Sequence, residues 1–202
     1  MGRNYGVLEC KGRSATYFAL NKMLKFSNVD FIGAKNSLGA GLSSVIISGN
    51  TAEINNALEI GKREAAKIND VLGAVSINNL SNELEKYILK KDSSNNKSNK
   101  TNYAEIKNAI ALIEVFTFSA ALKTADQVLK TTDVELLAME KSKGGAGTPG
   151  LIVCLKFQGS NDALAAAEKV ARRTAAKYYK SPASSILSNP ALTIKQLSKE
   201  GI

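Results

Sequence analysis

The sequence predicts a mixed α/β fold of the α+β kind, in which one β-α-β-β-α-β unit occurs twice in tandem. A strand-like apolar segment with a glutamate at a fixed position is found around Glu9 and again around Glu114, at an offset of 114 − 9 = 105 residues. A polar, low-complexity run separates the two copies, at residues 90–102. An internal repeat of this length indicates one supersecondary unit per copy.

The offset between the copies changes once along the chain. Lys25 falls on Lys130 at the offset of 105, whereas Gly49 falls on Gly159 at 159 − 49 = 110. The second copy therefore contains five extra residues (110 − 105 = 5), and the pattern places them in the loop between the second and third strands.

The first strand and the first helix follow from periodicity. We predict strands at residues 6–11 and 109–116, and helices at residues 14–26 and 119–130. Apolar residues recur in these helices at the 3-4 spacing of an amphipathic helix. The stripes expected to face the sheet are Tyr17, Leu20 and Leu24 in the first copy, and Leu122, Ala125 and Leu129 in the second.

The middle of each copy is predicted to contain two strands and a longer helix. The second strands are expected at residues 29–34 and 134–140, and the apolar, β-branched third strands at 43–48 and 150–157. Turns at Gly49-Asn50 and Gly159–Asn161 are expected to cap helices at 51–69 and 161–177. Those helices should bury Ile54, Leu58, Gly61 and Ala65, and in the second copy Leu164, Ala171 and Ala175.

The two copies are predicted to differ at their ends. A fourth strand is expected at residues 71–77, but prolines interrupt the equivalent stretch 181–190, so a complete strand is not expected there. A short amphipathic helix is predicted at 81–89, before the polar run. The domains are accordingly placed at residues 1–89 and 107–202, with a polar linker at 90–106.

The composition argues against catalysis and against metal binding. Histidine is absent, which removes the commonest general base and the commonest metal ligand. The two cysteines, Cys10 and Cys154, stand alone in apolar runs and form neither a disulfide framework nor a metal motif. No paired carboxylates or nucleophile–base pair mark a site. We therefore expect no enzyme activity, no catalytic residue and no metal.

The net charge of +9 comes mainly from lysines that are spread over the whole chain. This pattern is typical of a solvated surface, and arginine, the residue preferred for reading bases and clamping phosphates, is scarce. We expect no nucleic-acid partner. No apolar run approaches the ~20 residues that cross a bilayer, and no signal peptide is recognised, so we expect no membrane partner and a cytoplasmic protein.

Several motifs together carry a family resemblance. Gly6-Val-Leu-Glu9 and Ala111-Leu-Ile-Glu114 are similar to the first strand of the bacterial microcompartment shell domain. Met23-Leu-Lys25 with Asn28-Val29, and Val45-Ile-Ile-Ser-Gly-Asn50, resemble its helix-to-strand segment and its third strand. The resemblance implies two ferredoxin-like shell domains. It also implies a structural shell protein, a homotrimer that forms a pseudohexameric tile with a central pore.

The resemblance also implies site residues and partners. Lys25 and Lys130 are expected at the tile edge, and the loops between the second and third strands at the pore. The pore-lining residues would be Ser37, Leu38, Gly39, Ala40 and Gly41, with Lys143, Gly144, Gly145, Ala146, Gly147 and Thr148 from the second copy. Glycine amides and lysines there would favour small anionic or polar metabolites. The expected partners are other microcompartment shell proteins and encapsulated enzymes.

One departure from that picture concerns the cofactor, and one alternative function remains open. Some tandem shell proteins hold an iron–sulfur cluster at the pore on one cysteine from each subunit, but neither loop here contains cysteine, so no cofactor is expected. The alternative function is a trimeric, ferredoxin-like regulatory protein that binds a small molecule. Such a protein would need a nucleotide-contacting loop with basic motifs, and no such loop is recognised.

Overall fold

A computed structural model describes residues 3–36, 38–39, 41–89, 109–142, 151–178, 183–191 and 194. The first copy contains β1 (Tyr5–Lys11), α1 (Arg13–Phe26), β2 (Asp30–Lys35), β3 (Leu42–Ser48), α2 (Thr51–Ala65) and β4 (Val71–Ile77). Helix α3 (Asn82–Leu89) follows it. The second copy contains β5 (Ala109–Phe116), α4 (Phe118–Thr131), β6 (Glu135–Ser142), β7 (Ile152–Gly159), α5 (Asn161–Ala175) and β8 (Ser184–Ser188).

Each copy forms one four-stranded antiparallel sheet, and the two sheets have the same topology. The strand orders are β2-β3-β1-β4 and β6-β7-β5-β8, so the first strand of each copy lies inside its sheet. The pairs Lys35–Ser44 and Glu140–Cys154 occupy equivalent positions, at offsets of 140 − 35 = 105 and 154 − 44 = 110. The mixed fold with two repeated units is confirmed, and the five-residue change of register lies where the sequence placed it.

In the first copy both faces of the sheet are covered. Leu8 and Ile47 face α1 and α2, and they pack against Met23 and Ile54 in one buried cluster. The opposite face is covered by α3, which buries Leu84 and Ile88 in a second cluster. The Tyr5 hydroxyl on that face donates to Glu85 Oε1 at 2.8 Å. The predicted helix before the linker is confirmed, and it packs in a cluster that contains core residues of both copies.

The predicted buried stripe of α1 is wrong for Tyr17 and Leu24, whereas Leu20 is partly buried and packs against the core. The helix buries Ala15, Ala19 and Met23, whereas Tyr17 and Leu24 are 46% and 41% exposed. The helix is rotated relative to the prediction because small alanines, rather than the large residues, approach the sheet. In α4 the prediction is confirmed: Leu122 and Ala125 are fully buried, and Leu129 packs against the core.

The second helices are capped as predicted but end earlier. The Asn50 side chain accepts from the Glu53 N–H at 2.9 Å, and the Ser160 hydroxyl caps α5 in the same way. Helices α2 and α5 end at Ala65 and Ala175 rather than four and two residues later (69 − 65 and 177 − 175), and the chain then turns. The residues predicted to be buried on both helices are buried.

The second copy has a fourth strand, but a short one. Strand β8 contains five residues against seven in β4, and it pairs with β5 from Ala109–Ser188 to Ile113–Ser184. It lies between Pro182 and Pro190, which is why it is shorter than β4. The domain boundaries remain a prediction, and the linker at 90–106 lies outside the described residues.

The close packing of α2 on β1 yields a stability prediction. A Cβ atom at Gly61 would lie 2.6 Å from Met23 Sδ and 3.0 Å from Leu8 Cδ2, whereas a Cβ at Gly33 would meet nothing within 4 Å. We expect Gly61→Val to lower the free energy of unfolding by about 1–3 kcal/mol, because overpacking forces a core to move. Urea denaturation measures this change. The control Gly33→Val should stay within about 0.5 kcal/mol of the wild type, and equal effects of the two substitutions would contradict the packing.

Candidate functional site

The first loop predicted to line a pore is held against the start of α1. Gly39 and Gly41 have φ angles of 93° and 73°, values that glycine adopts without strain. The Gly41 carbonyl accepts from the Gly12 N–H at 2.8 Å, and the Gly39 carbonyl accepts from the Leu42 N–H at 2.9 Å. Leu38 is 2% exposed and packs in the core cluster that includes α3.

The other residues predicted at the pore lie outside the described part of the chain. These are Ser37, Ala40, Lys143, Gly144, Gly145, Ala146, Gly147 and Thr148. The pore-lining role of both loops therefore stays a prediction.

The two lysines predicted at a tile edge lie in the last turns of α1 and α4. Lys25 is exposed. Lys130 lies at a contact between the two domains, where its Nζ atom donates to Asp126 Oδ2 at 2.6 Å and to the Asn78 carbonyl at 2.8 Å. The edge role of both lysines stays a prediction, but Lys130 has an additional role within the chain.

The contact between the domains is centred on the buried carboxylate of Glu9. Glu9 is fully buried near the end of β1, and its Oε2 and Oε1 atoms accept from the backbone N–H groups of Ser119 and Phe118 at 2.9 and 3.3 Å. These amides belong to the first turn of α4, where intrahelical partners are missing and the helix dipole favours an anion. The first domain thus caps a helix of the second.

Burial disfavours the ionised form of Glu9. Burial raises the pKa of the Glu9 carboxyl above its usual value of 4.5, and the hydrogen bonds from Ser119 and Phe118 lower it in part. Such a group is costly unless it is hydrogen-bonded, so the position of the amides is what makes burial tolerable.

Gly73 allows the two domains to come this close. It lies beside Glu9 on β4, and a Cβ atom there would be 2.2 Å from Ser119 Oγ and 3.3 Å from Ser119 Cβ. Ser119 Oγ lies 3.3 Å from Thr117 Oγ1. A larger residue at position 73 would have to displace the start of α4.

Polar contacts continue along α4, on the side that faces the first domain. Lys123 Nζ donates to the Ser76 carbonyl at 2.7 Å. Asp126 Oδ1 accepts from the N–H and the hydroxyl of Ser81 at 3.0 and 3.2 Å. Together with Glu9 and Lys130, these contacts join α4 to the edge of the first domain over its whole length.

Thr117 holds an unusual backbone conformation just before α4. Its φ and ψ angles are 72° and 147°, a combination normally restricted to glycine that costs on the order of 1–3 kcal/mol. Its hydroxyl accepts from the Ala120 N–H, and its own N–H donates to the Leu151 carbonyl at 3.0 Å. The equivalent residue before α1 is Gly12, which has nearly the same angles but provides no side-chain cap.

Two other kinds of site, a metal site and an activated thiol, can be judged from the described residues. No group of three or more Cys, Asp or Glu side chains that could hold a metal ion occurs in the described ranges. Burial raises the pKa of the Cys10 thiol to about 11, and it also raises the pKa of Cys154, so neither is an activated nucleophile. Among the helices of the described part, none is long and apolar enough to cross a membrane.

The contact between the domains was not predicted from the sequence, although the sequence contains a signal for it. Glu9 and Glu114 served only to mark the repeat, although a carboxylate inside an apolar strand needs a partner when it is buried. That partner is 110 residues away in the chain, on an element of the other copy. No periodicity within one copy could identify it.

Comparison with known proteins gives matches over both copies. The family model described as BMC domain matches residues 5–80 and 109–190. The carboxysome assembly protein CcmO of Synechococcus elongatus is 29% identical over 143 residues, which are 71% of this chain and 51% of that protein. CcmO of Synechocystis sp. is 32% identical over 83 residues, which are 41% and 28% of the two chains. The chain thus spans about half the length, or less, of these curated relatives.

A solved structure shows the same fold over nearly the full length. It is the crystal structure of a microcompartments protein from Desulfitobacterium hafniense DCB, with a TM-score of 0.67 and 20% identity. The match covers 97% of this chain and 99% of that one. The match thus shows that a solved chain of similar length has the fold of this chain over both of its copies.

The buried carboxylate yields a prediction about pH. The folded-state pKa of Glu9 lies above its unfolded value of 4.5. Between these two pKa values the folded protein binds more protons than the unfolded protein. The stability contribution of Glu9 therefore falls as the pH rises from about 4.5. Glu9→Gln removes this titration. The unfolding free energy of the wild type minus that of Glu9→Gln should therefore decrease with rising pH.

Urea denaturation at a series of pH values measures this difference. The control is Glu59→Gln, because the Glu59 side chain is 73% exposed, and its difference from the wild type should change little over the same range. A difference for Glu9→Gln that grows with pH would contradict the burial of a carboxyl with a raised pKa.

Proposed function

Because this chain belongs to the BMC domain family, with both of its copies matched, we propose that it is a structural shell protein of a bacterial microcompartment. In this proposal three chains form a pseudohexameric tile of six domains around a central pore. The observation that carries it is the pair of BMC domains, joined side by side in one chain by the buried contact of Glu9 with α4. The role is structural and requires no catalytic residue.

The geometry of the chain supports assembly by repetition. Two equivalent domains contact each other through unlike surfaces, the β4 side of one and the helix α4 of the other. Contacts between unlike surfaces are heterologous, and they generate closed rings when the rotation between units closes. Three chains with two domains each would give the six units of the tile.

The loops between the second and third strands are the elements that we propose for the pore. Gly39 and Gly41 give the first loop two positive φ angles, which glycine adopts without strain. The sequence of the second loop, at 143–150, contains Lys143. Backbone amides and lysine would attract small anionic or polar metabolites. Other shell proteins would contact the tile at its outer edge, and encapsulated enzymes would be enclosed by the shell.

Electron microscopy of the purified protein tests the tile. We expect discs of three chains with a hexagonal outline, and sheets of discs at high protein concentration. Light scattering should give the mass of a trimer. A monomer that forms no discs would contradict the proposed function.

The predicted edge role of lysine is tested best at Lys25. Lys130 also bonds Asn78 and Asp126, so its loss would loosen the contact between the domains as well. We expect Lys25→Ala to abolish sheets at protein concentrations at which light scattering still shows trimers, whereas the control Lys62→Ala, at a half-exposed lysine on α2, leaves sheets unchanged. Sheets that survive Lys25→Ala would show that Lys25 has no role at the edge.

A further inference from the structure

The contact between the domains uses only half of the surfaces that the repeat provides. Glu9 is fully buried, and so is Ser119, the residue whose amide it binds. Their equivalents in the other copy are Glu114 (114 − 9 = 105) and Ser14 (119 − 14 = 105). Both of these are exposed. Each chain therefore has one occupied pair and one open pair of the same type.

The start of α1 lacks the cap that α4 receives. Among the described residues no side chain caps α1, and its first turn contains no acidic residue. Arg13 stands at its first position, where Phe118 stands in α4. A cation at a helix N-terminus opposes the dipole, so an anion from outside the chain would relieve an unfavourable charge. Glu114 is such an anion.

We infer that, in the assembled protein, the carboxylate of Glu114 accepts hydrogen bonds from the backbone N–H groups of Arg13 and Ser14 of a second copy of this chain. The intrachain contact of Glu9 is thereby repeated between chains. This inference rests on the proposed function, because it describes the joint that would link three chains into one tile. It also adds an ion pair between Glu114 and Arg13 that the intrachain contact does not have.

The next turn of the helix supports the same pairing with different chemistry. Within the chain, Lys123 donates to the Ser76 carbonyl. The equivalent positions are Phe18 (123 − 105) and Ile186 (76 + 110). Phe18 is 39% exposed, so an apolar side chain would lie on the strand backbone at the place where Lys123 donates its hydrogen bond. The exposed Phe18 ring would thereby be covered by the neighbouring chain.

The following turn changes in the same way. Within the chain, the Asp126 carboxylate is 3% exposed and accepts two hydrogen bonds from Ser81. The equivalent positions are Asn21 (126 − 105) and Ala191 (81 + 110), and both are exposed. The neutral Asn21 would thus face Ala191, whose side chain has no hydrogen-bond donor. No carboxylate would therefore be buried there without a partner.

One position shows how the contact between chains must differ. Gly73, which allows Ser119 to approach β4, is replaced by Ala183 (73 + 110), which lies beside Glu114 and whose carbonyl accepts from the Glu114 N–H at 2.8 Å. The extra methyl group requires the Ser14 hydroxyl to take a rotamer other than that of Ser119. Because a Cβ atom at this place would also lie 3.3 Å from the serine Cβ, the start of α1 must lie slightly farther from β8 than α4 lies from β4.

Light scattering after size-exclusion chromatography tests the inference with two variants. Glu114→Lys places a cation against the helix N-terminus, and Arg13→Pro removes one of the two amide donors at a position where helices tolerate proline. Each should raise the concentration at which the trimer dissociates by at least about tenfold. Because positions 13 and 114 are exposed in the single chain, circular dichroism should show that both variants remain folded. The control Glu59→Lys, at an exposed carboxylate on α2, should remain trimeric.

The outcomes separate this inference from the proposed function. Dissociation of both variants but not of the control supports the contact. A trimeric wild type whose two variants stay trimeric would overturn the contact and leave the tile intact. A monomeric wild type would overturn both. Open filaments of the wild type that dissolve in Glu114→Lys would support the contact but contradict the closed trimer.

Discussion

The two domains share one apolar cluster, and the polar contact between them is centred on one buried carboxylate. Glu9 lies inside an apolar strand and is fully removed from solvent, and the two amides at the start of α4 are what satisfy it. A buried carboxylate without hydrogen-bond partners is costly, and the position of α4 against β1 and β4 provides two such partners. This placement requires the close approach at Gly73. The positive φ of Thr117 belongs to the repeated unit itself, because Gly12 has nearly the same angles before α1.

The repeat provides two nearly identical units, but the chain uses them unequally. Glu9 and α4 form a closed pair, whereas Glu114 and the start of α1 are exposed. A chain with one open surface of each kind is complementary to itself, and heterologous contacts of this kind extend until a ring closes. The fusion of two domains therefore fixes one joint covalently and leaves the other to assembly. It also allows the two joints to differ in sequence.

Local patterns predicted most of the fold, since each element of one copy could be checked against the other. The strands, the caps Asn50 and Ser160, and the buried face of α5 all follow from short-range spacing. The buried face of α1 could not be predicted from hydrophobicity, because Ala15 and Ala19 pack against the sheet while larger residues stay exposed. The Glu9–Ser119 contact could not be predicted because it joins two copies. In the predicted site, Leu38 is buried within the chain, where it packs in the cluster that includes α3. A pore would be formed by several chains together, and no pattern within one chain describes it.

The central claim is that the joint within the chain is reused between chains. The most direct measurement is a high-resolution structure of the assembled particle, by electron cryomicroscopy or crystallography. We predict three chains around one axis, with the Glu114 carboxylate of each within hydrogen-bonding distance of the Arg13 and Ser14 amides of its neighbour. A particle in which Glu114 and the start of α1 both face solvent would contradict the claim.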